Sequence, residues 1–238
     1  MPETGSENGN SRNDKREHRK VTEAITVQGM VLQAFPIGEN DRRLVILTRE
    51  LGRITAFAHG ARRPGSTLMA ASNTFVLGSF VLKPGRNSYS LVHVDAMDYF
   101  TEIAARQPEV YYGYYFLDFA EFYSQEGVDG TDTLNLLYVT LKILLDSRIP
   151  NELVRRIYEI RLMTINGDFS YESGEMSDSA RYTCRFISSV PLEKLFTFNV
   201  SESLQRELGE IAEKSMRRIL DRPLKSKTIL VQMLQLYQ

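Results

Sequence analysis

The feature that most constrains this chain is a single change of hydrophobic period at Gln107-Pro108. From Thr26 to about Asp95, apolar residues come in short β-rich runs broken by turn residues, the signature of a small all-β unit. Beyond that point the apolar segments have helical length, and Pro108 stands where a helix can begin. With 238 residues, 42% of them hydrophobic and 25% charged, the chain can fill one large core or two modest ones.

Five runs make up the β unit: Thr26–Phe35, Arg43–Arg49, Arg53–His59, Thr74–Lys83 and Ser88–Asp95. They are punctuated by Pro36-Ile37-Gly38, Gly52, Pro64-Gly65 and Pro84-Gly85. A sheet this small is best stabilised by closing on itself. Five strands with a turn of helix between the third and fourth, here Ser66–Ser72, is the plan of an OB-fold barrel. An SH3-like barrel or a sandwich fragment are the alternative closures.

The expected architecture is therefore α+β with more than one domain. A polar disordered tail occupies residues 1–20, the OB-type barrel 21–100, and an all-α domain 101–238. Helices are expected over Pro108–Tyr123, Thr131–Ser147, Pro150–Asn166, Ser201–Leu220 and Leu224–Tyr237. The first of these carries so many Tyr and Phe residues that little polar face remains. Residues 167–191 are rich in Ser, Gly, Asp and Glu and lose periodicity, so an irregular insertion is expected there.

The net charge of −1 conceals an asymmetry: residues 21–95 carry +3 and residues 96–238 carry −5. One half is suited to a polyanion and the other to a different partner. The single cysteine, Cys184, excludes an internal disulfide framework, and no apolar run is long enough to span a bilayer. A cytoplasmic protein is expected. Motifs for zinc peptidases, serine hydrolases and dinucleotide binding are absent, and the Gly60 to Gly65 segment has Ser66 where a phosphate loop needs lysine.

The cations of the β unit are the candidate nucleic-acid contacts. Arg62 and Arg63 lie between Gly60 and Gly65, forked donors suited to phosphodiester oxygens. Arg42 and Arg43 follow the first turn, and Lys83 and Arg86 flank Pro84-Gly85. On the strand Arg53–His59, alternation sets Arg53, Thr55, Phe57 and His59 on one face and Ile54, Ala56 and Ala58 on the other. Phe57 and His59 would offer rings for base stacking, although Phe57 also suits packing against the helical domain. Asp41 reads as a turn-stabilising acceptor. In the helical half, Tyr111 and Tyr115 with Arg155, Arg156 and Arg161 are candidates for a partner-binding groove, and core packing or surface charge are their plainer roles.

Three stretches carry a family resemblance: Gly29-Met30-Val31-Leu32; Gly38-Glu39-Asn40-Asp41-Arg42; and Leu47-Thr48-Arg49-Glu50-Leu51-Gly52-Arg53-Ile54 running on to Ala58-His59-Gly60-Ala61-Arg62-Arg63. They resemble the RecO family of bacterial recombination mediators. The likeness extends more loosely over residues 24–238, through Glu159-Ile160-Arg161 and Arg222-Pro223-Leu224-Lys225-Ser226. It implies a non-enzymatic DNA-repair protein, associated with the nucleoid, that binds single- and double-stranded DNA and anneals complementary strands. It further implies that the protein acts with RecR and the acidic C-terminal tail of single-strand-binding protein, and so helps load RecA. Many family members place two Cys-x-x-Cys pairs in the segment matching 167–191, a structural zinc site. With Cys184 alone, this chain is expected to lack zinc and to keep only a degenerate version of that finger. An RNA-binding barrel, or an adaptor that touches no nucleic acid, are the competing readings.

Overall fold

In the computed structural model, which describes residues 23–172 and 176–236, five strands close into a barrel in the order β1-β2-β3-β5-β4. They are β1 (Ile25–Ile37), β2 (Asp41–Thr48), β3 (Gly52–Ala58), β4 (Leu77–Pro84) and β5 (Tyr89–Asp98). Neighbours pair antiparallel except β3 with β5, which is parallel. One helical turn, α1 (Leu68–Ala71), links β3 to β4. This is the OB plan, and the SH3-like and sandwich alternatives are set aside. The tail expected over residues 1–20 lies outside the described residues.

The barrel interior is filled by one side of each strand, including Val27, Val31, Leu44, Ile46, Ile54, Phe80, Leu82 and Leu91. The other side of β1 and β2 is also apolar at one end. Met30, Leu32, Val45 and Leu47 belong to the helical core instead, packed with residues such as Phe116 and Leu134. A sheet apolar on both faces must be covered on both, so the helices lie against this outer patch.

Backbone contacts fix the same seam. The loop 124–130 runs along the β2–β3 turn, with Arg53 N–H donating to Gln125 O, Gly127 N–H to Leu51 O and Gly130 N–H to Arg49 O. Gly52 has φ of +63°, and a Cβ there would lie 2.1 Å from Gln125 O and 2.3 Å from Val128 O. Two phenylalanines with positive φ, Phe75 and Phe100, leave the barrel at its connections and insert into the helical core.

The helices are α2 (Thr101–Ala105), α3 (Glu109–Tyr123), α4 (Thr131–Leu144), α5 (Asn151–Ile165), α6 (Asp178–Ser189), α7 (Glu202–Ile219) and α8 (Lys225–Leu236). Helix α6 corrects the expectation of an irregular segment over 167–191. Ser177 caps it by accepting from Ala180 N–H, and Arg161 donates to the carbonyls of Ile187 and Ser188 at its far end. Most of its polar residues face outward, while Ala180, Thr183, Cys184 and Ile187 are buried. The high polar content reflected a one-sided helix rather than a loop.

Helix α5 is buried almost all round, so its charged residues pair inside the domain. Glu159 is fully buried and accepts from Arg155 Nε at 2.9 Å, Arg156 Nη1 at 2.9 Å and the Tyr115 hydroxyl at 2.7 Å. Glu152 and Glu213 extend the cluster, and Lys227 Nζ reaches Glu213 Oε2 at 2.7 Å. The cluster thus ties α3, α5, α7 and α8 together. Tyr115, Arg155, Arg156 and Arg161, expected at a partner groove, are instead engaged within the fold.

Burial opposes ionisation of Glu159, yet the Arg155 and Arg156 guanidiniums outweigh it and hold the carboxyl below its ordinary range. A group whose folded pKa is depressed stabilises the fold above its unfolded value and loses that contribution as pH falls through the folded one. Glu159→Ala should therefore cost about 3–5 kcal/mol at neutral pH, because it strands buried guanidiniums. Urea denaturation at stepped pH should show the gap from wild type narrowing below about pH 4. Gly52→Ala should cost at least about 2 kcal/mol in the same assay, from left-handed backbone strain plus the carbonyl clash.

Candidate nucleic-acid interface

Strand pairing assembles one continuous row on the outer surface of the barrel. Phe35 of β1 pairs with Arg43 of β2, Arg43 with Phe57 of β3, Phe57 with Ser90 of β5, and Ser90 with Lys83 of β4. The residues flanking the row, Leu44, Ala56, Ala58, Leu82 and Leu91, all belong to the barrel interior, so the row itself faces outward. Four inter-strand steps of about 4.8 Å give a row roughly 19 Å long, within the few-nucleotide footprint of one OB barrel.

The row lies one step beyond the edge of the helical cover. Val45, two residues from Arg43 on the same face of β2, is buried under the helices, whereas Arg43 and Lys83 are exposed and Phe35 is 40% exposed. The Arg43 guanidinium stands 5.1 Å from the Phe35 ring centroid, and the Phe57 ring stacks on His59 at 6.4 Å. Alternating cations and ring faces of this kind can hold phosphates and bases together.

Beyond the row, the β1–β2 turn is braced by Asp41. Its carboxylate accepts from Gly60 N–H at 2.8 Å and from His59 Nδ1 at 2.8 Å. These bonds, that from Gly60 foremost, hold the Asp41 carboxyl below its usual range. Asp41 is thus the turn-stabilising acceptor expected from sequence, and the brace also aims the His59 ring. Arg62 donates to Gly38 O at 3.1 Å, and both Arg62 and Arg63 are exposed beside this turn. Arg86 is exposed at the β4–β5 turn.

Two expected contacts are diverted. Arg42 and Arg43 are adjacent on β2 and so project to opposite sides of the sheet. Arg42 points to the barrel end closed by α1, where its Nη1 donates to Met69 O, Ser72 Oγ and Asn73 Oδ1 at 2.8, 2.9 and 2.7 Å. Arg53 lies at the seam with the helices, its Nη1 donating to Glu121 O at 3.3 Å. Both serve the fold. Phe35, in contrast, was not singled out by sequence reasoning. A register shift between Val31 and Gln33 places an extra residue, Leu32, in β1. Strict alternation from Val27 would put Phe35 inside the barrel, and the bulge turns it outward.

Comparison with known proteins agrees with this architecture. A family model described as "Recombination protein O N terminal" matches residues 23–100, the barrel. The DNA repair protein RecO of Alkaliphilus metalliredigens is 34% identical over 143 residues, which cover 60% of this chain and 58% of that protein. The DNA repair protein RecO of Acetivibrio thermocellus is 25% identical over 233 residues, covering 83% of this chain and 92% of that protein. That of Clostridium acetobutylicum is 24% identical over 216 residues, covering 77% and 87%. The barrel is thus similar to the N-terminal part of recombination protein O, and relatives that align over most of this chain are named DNA repair protein RecO.

Among the described residues, no three or more His, Cys, Asp or Glu side chains are grouped to hold a metal ion. No helix among them is long and apolar enough to cross a membrane. The division of labour between the paired arginines is directly testable. Arg42→Ala should lower stability by about 1–3 kcal/mol, because it strips a charged donor from α1. Arg43→Ala should stay within about 0.5 kcal/mol of wild type. Equal thermal shifts for the two would contradict the assignment.

Proposed function

We propose that this protein is a DNA-binding recombination mediator of DNA repair that holds nucleic acid on the barrel row Phe35–Arg43–Phe57–Ser90–Lys83. That row, left open where the helical cover stops, is the observation that carries the reading. Arg43 and Lys83 contact phosphates, with Arg62, Arg63 and Arg86 bordering them. Phe35 and Phe57, with His59, take bases. Each phosphate contact releases condensed counterions, so affinity falls with salt. Cations on one surface also offset the repulsion between two phosphate backbones, which is the electrostatic requirement for annealing complementary strands.

Similarity to proteins named DNA repair protein RecO supports the finer reading. The protein binds single- and double-stranded DNA, anneals complementary strands, and with RecR helps load RecA onto DNA coated by single-strand-binding protein, whose acidic C-terminal tail is a further partner. These steps make and break no covalent bond, so we assign no catalytic residue. The site of action is the cytoplasm, at the nucleoid. No helical-domain residue is assigned to the protein partners. The reading includes no zinc: Cys184 is the only cysteine of the chain. Burial pushes its thiol up to about 12, and α6 is held by its caps.

Annealing of complementary oligonucleotides tests the proposal. Arg43→Ala/Lys83→Ala should bind single strands about tenfold more weakly. The slope of log affinity against log salt should drop by about 1.4, for two contacts at about 0.7 each. Annealing should slow in parallel, with the circular dichroism spectrum retained. Unchanged binding and annealing would remove the barrel row from the function, and strong preference for RNA competitor over DNA would redirect it.

A further inference from the structure

A groove of about 750 Å³ opens where the barrel meets the helical domain. One wall is β1 at Leu32 and Gln33, another is α3 at Tyr114 and Phe122, and the third is the turn between α7 and α8 at Arg222 and Lys225. Gln33 lies two residues before Phe35 on the same outer side of β1, so the groove begins where the barrel row ends. Tyr114 and Phe122 are 46% and 41% exposed, unusual for large rings on a helix whose neighbouring aromatics are buried.

Two cations and two acids line the groove: Arg222 and Lys225 with Asp118 and Asp221. The segment 214–225 that leads into the groove contains Lys214, Arg217, Arg218, Arg222 and Lys225 against Asp221, and of these cations Arg222 and Lys225 line the groove, while Lys214 and Arg217 lie beside Glu210 and Glu213. All five cations are exposed, and no ion pair or hydrogen bond from their side chains occurs among the described residues. Of the two acids in the groove wall, Asp118 accepts from the Ser226 hydroxyl at 2.6 Å, and Asp221 is exposed next to Arg222 in the chain. Cations at the end of α7 also suit its dipole, but that effect requires neither the cations beyond the helix nor open rings beside them.

We propose that this groove is a second stretch of the nucleic-acid path, taking the continuation of a single strand from the barrel row onto the helical domain. Tyr114 and Phe122 stack bases, and Arg222 and Lys225 hold the phosphates that follow. An extended strand on two surfaces is held with its bases spread, ready to meet a complement. The inference rests on the barrel reading, and strand length separates the two.

Fluorescence anisotropy with the full-length protein would compare a strand of about 6 nucleotides, which fits the row alone, with one of about 30. Arg222→Ala/Lys225→Ala should weaken the long strand about tenfold, reduce its salt slope by about 1.4, and leave the short strand unchanged. Iododeoxyuridine placed toward one end of the long strand should photo-crosslink to Tyr114 or Phe122. Equal affinity of wild type and Arg222→Ala/Lys225→Ala for the long strand overturns the inference. So do crosslinks confined to the barrel, and so does an acidic peptide with an apolar end that needs Arg222 and Lys225 while strand binding does not. If Arg43→Ala/Lys83→Ala weakens both lengths and Arg222→Ala/Lys225→Ala weakens neither, only the extension fails. If the barrel variant weakens neither length, the barrel reading fails as well.

Discussion

Everything in this molecule depends on the apolar patch that the barrel carries on its outside. Met30, Leu32, Val45 and Leu47 give β1 and β2 a second hydrophobic face at one end, and water cannot be left against it. The helical domain is the cover. Its edge falls between Val45 and Arg43, a single alternation along β2, and beyond that edge Arg43 and Phe35 are exposed. The boundary between core and exposed barrel surface is therefore drawn by side-chain identity along two strands. The glycine-dependent backbone contacts of loop 124–130 keep it from sliding.

Charge is divided by the same logic. Arg43 remains exposed beyond the cover, whereas Arg42 beside it and Arg53 at the seam are held by the fold. In α5, the most enclosed helix, Arg155 and Arg156 share Glu159 and bring neighbouring helices into register around one buried carboxylate. Such a cluster adds little net stability over an apolar core of the same shape, but it penalises any arrangement that leaves one charge unpaired. Helix α6 is held by local means: a serine cap at one end, an arginine at the other, and apolar packing beneath.

Much of this could be read from the residues. The change of period at Pro108 located the end of the β unit, turn residues marked all five strands, and alternation on β3 assigned its faces correctly. What escaped was whatever depended on a neighbour in space. Arg42 and Arg43 are chemically identical, and only the position of α1 decides which is bound. Arg155 has the spacing of a surface residue, because helical period reports one apolar stripe and is silent about what covers the remainder. Helix α6 was missed because its polar side outweighs its narrow buried one.

The extra residue at Leu32 shows how a short strand can serve three masters. Before it, β1 lines the barrel interior with Val27 and Val31. At it, Leu32 is pushed into the helical core. After it, the phase is reversed and Phe35 emerges into solvent beside Arg43. A regular strand of the same composition would have hidden that ring and exposed Ala34 in its place. The outer row of this barrel thus owes its aromatic end to an irregularity of one residue, and a β1 lengthened or shortened at this point would change which side chains that row displays without disturbing the closure of the sheet.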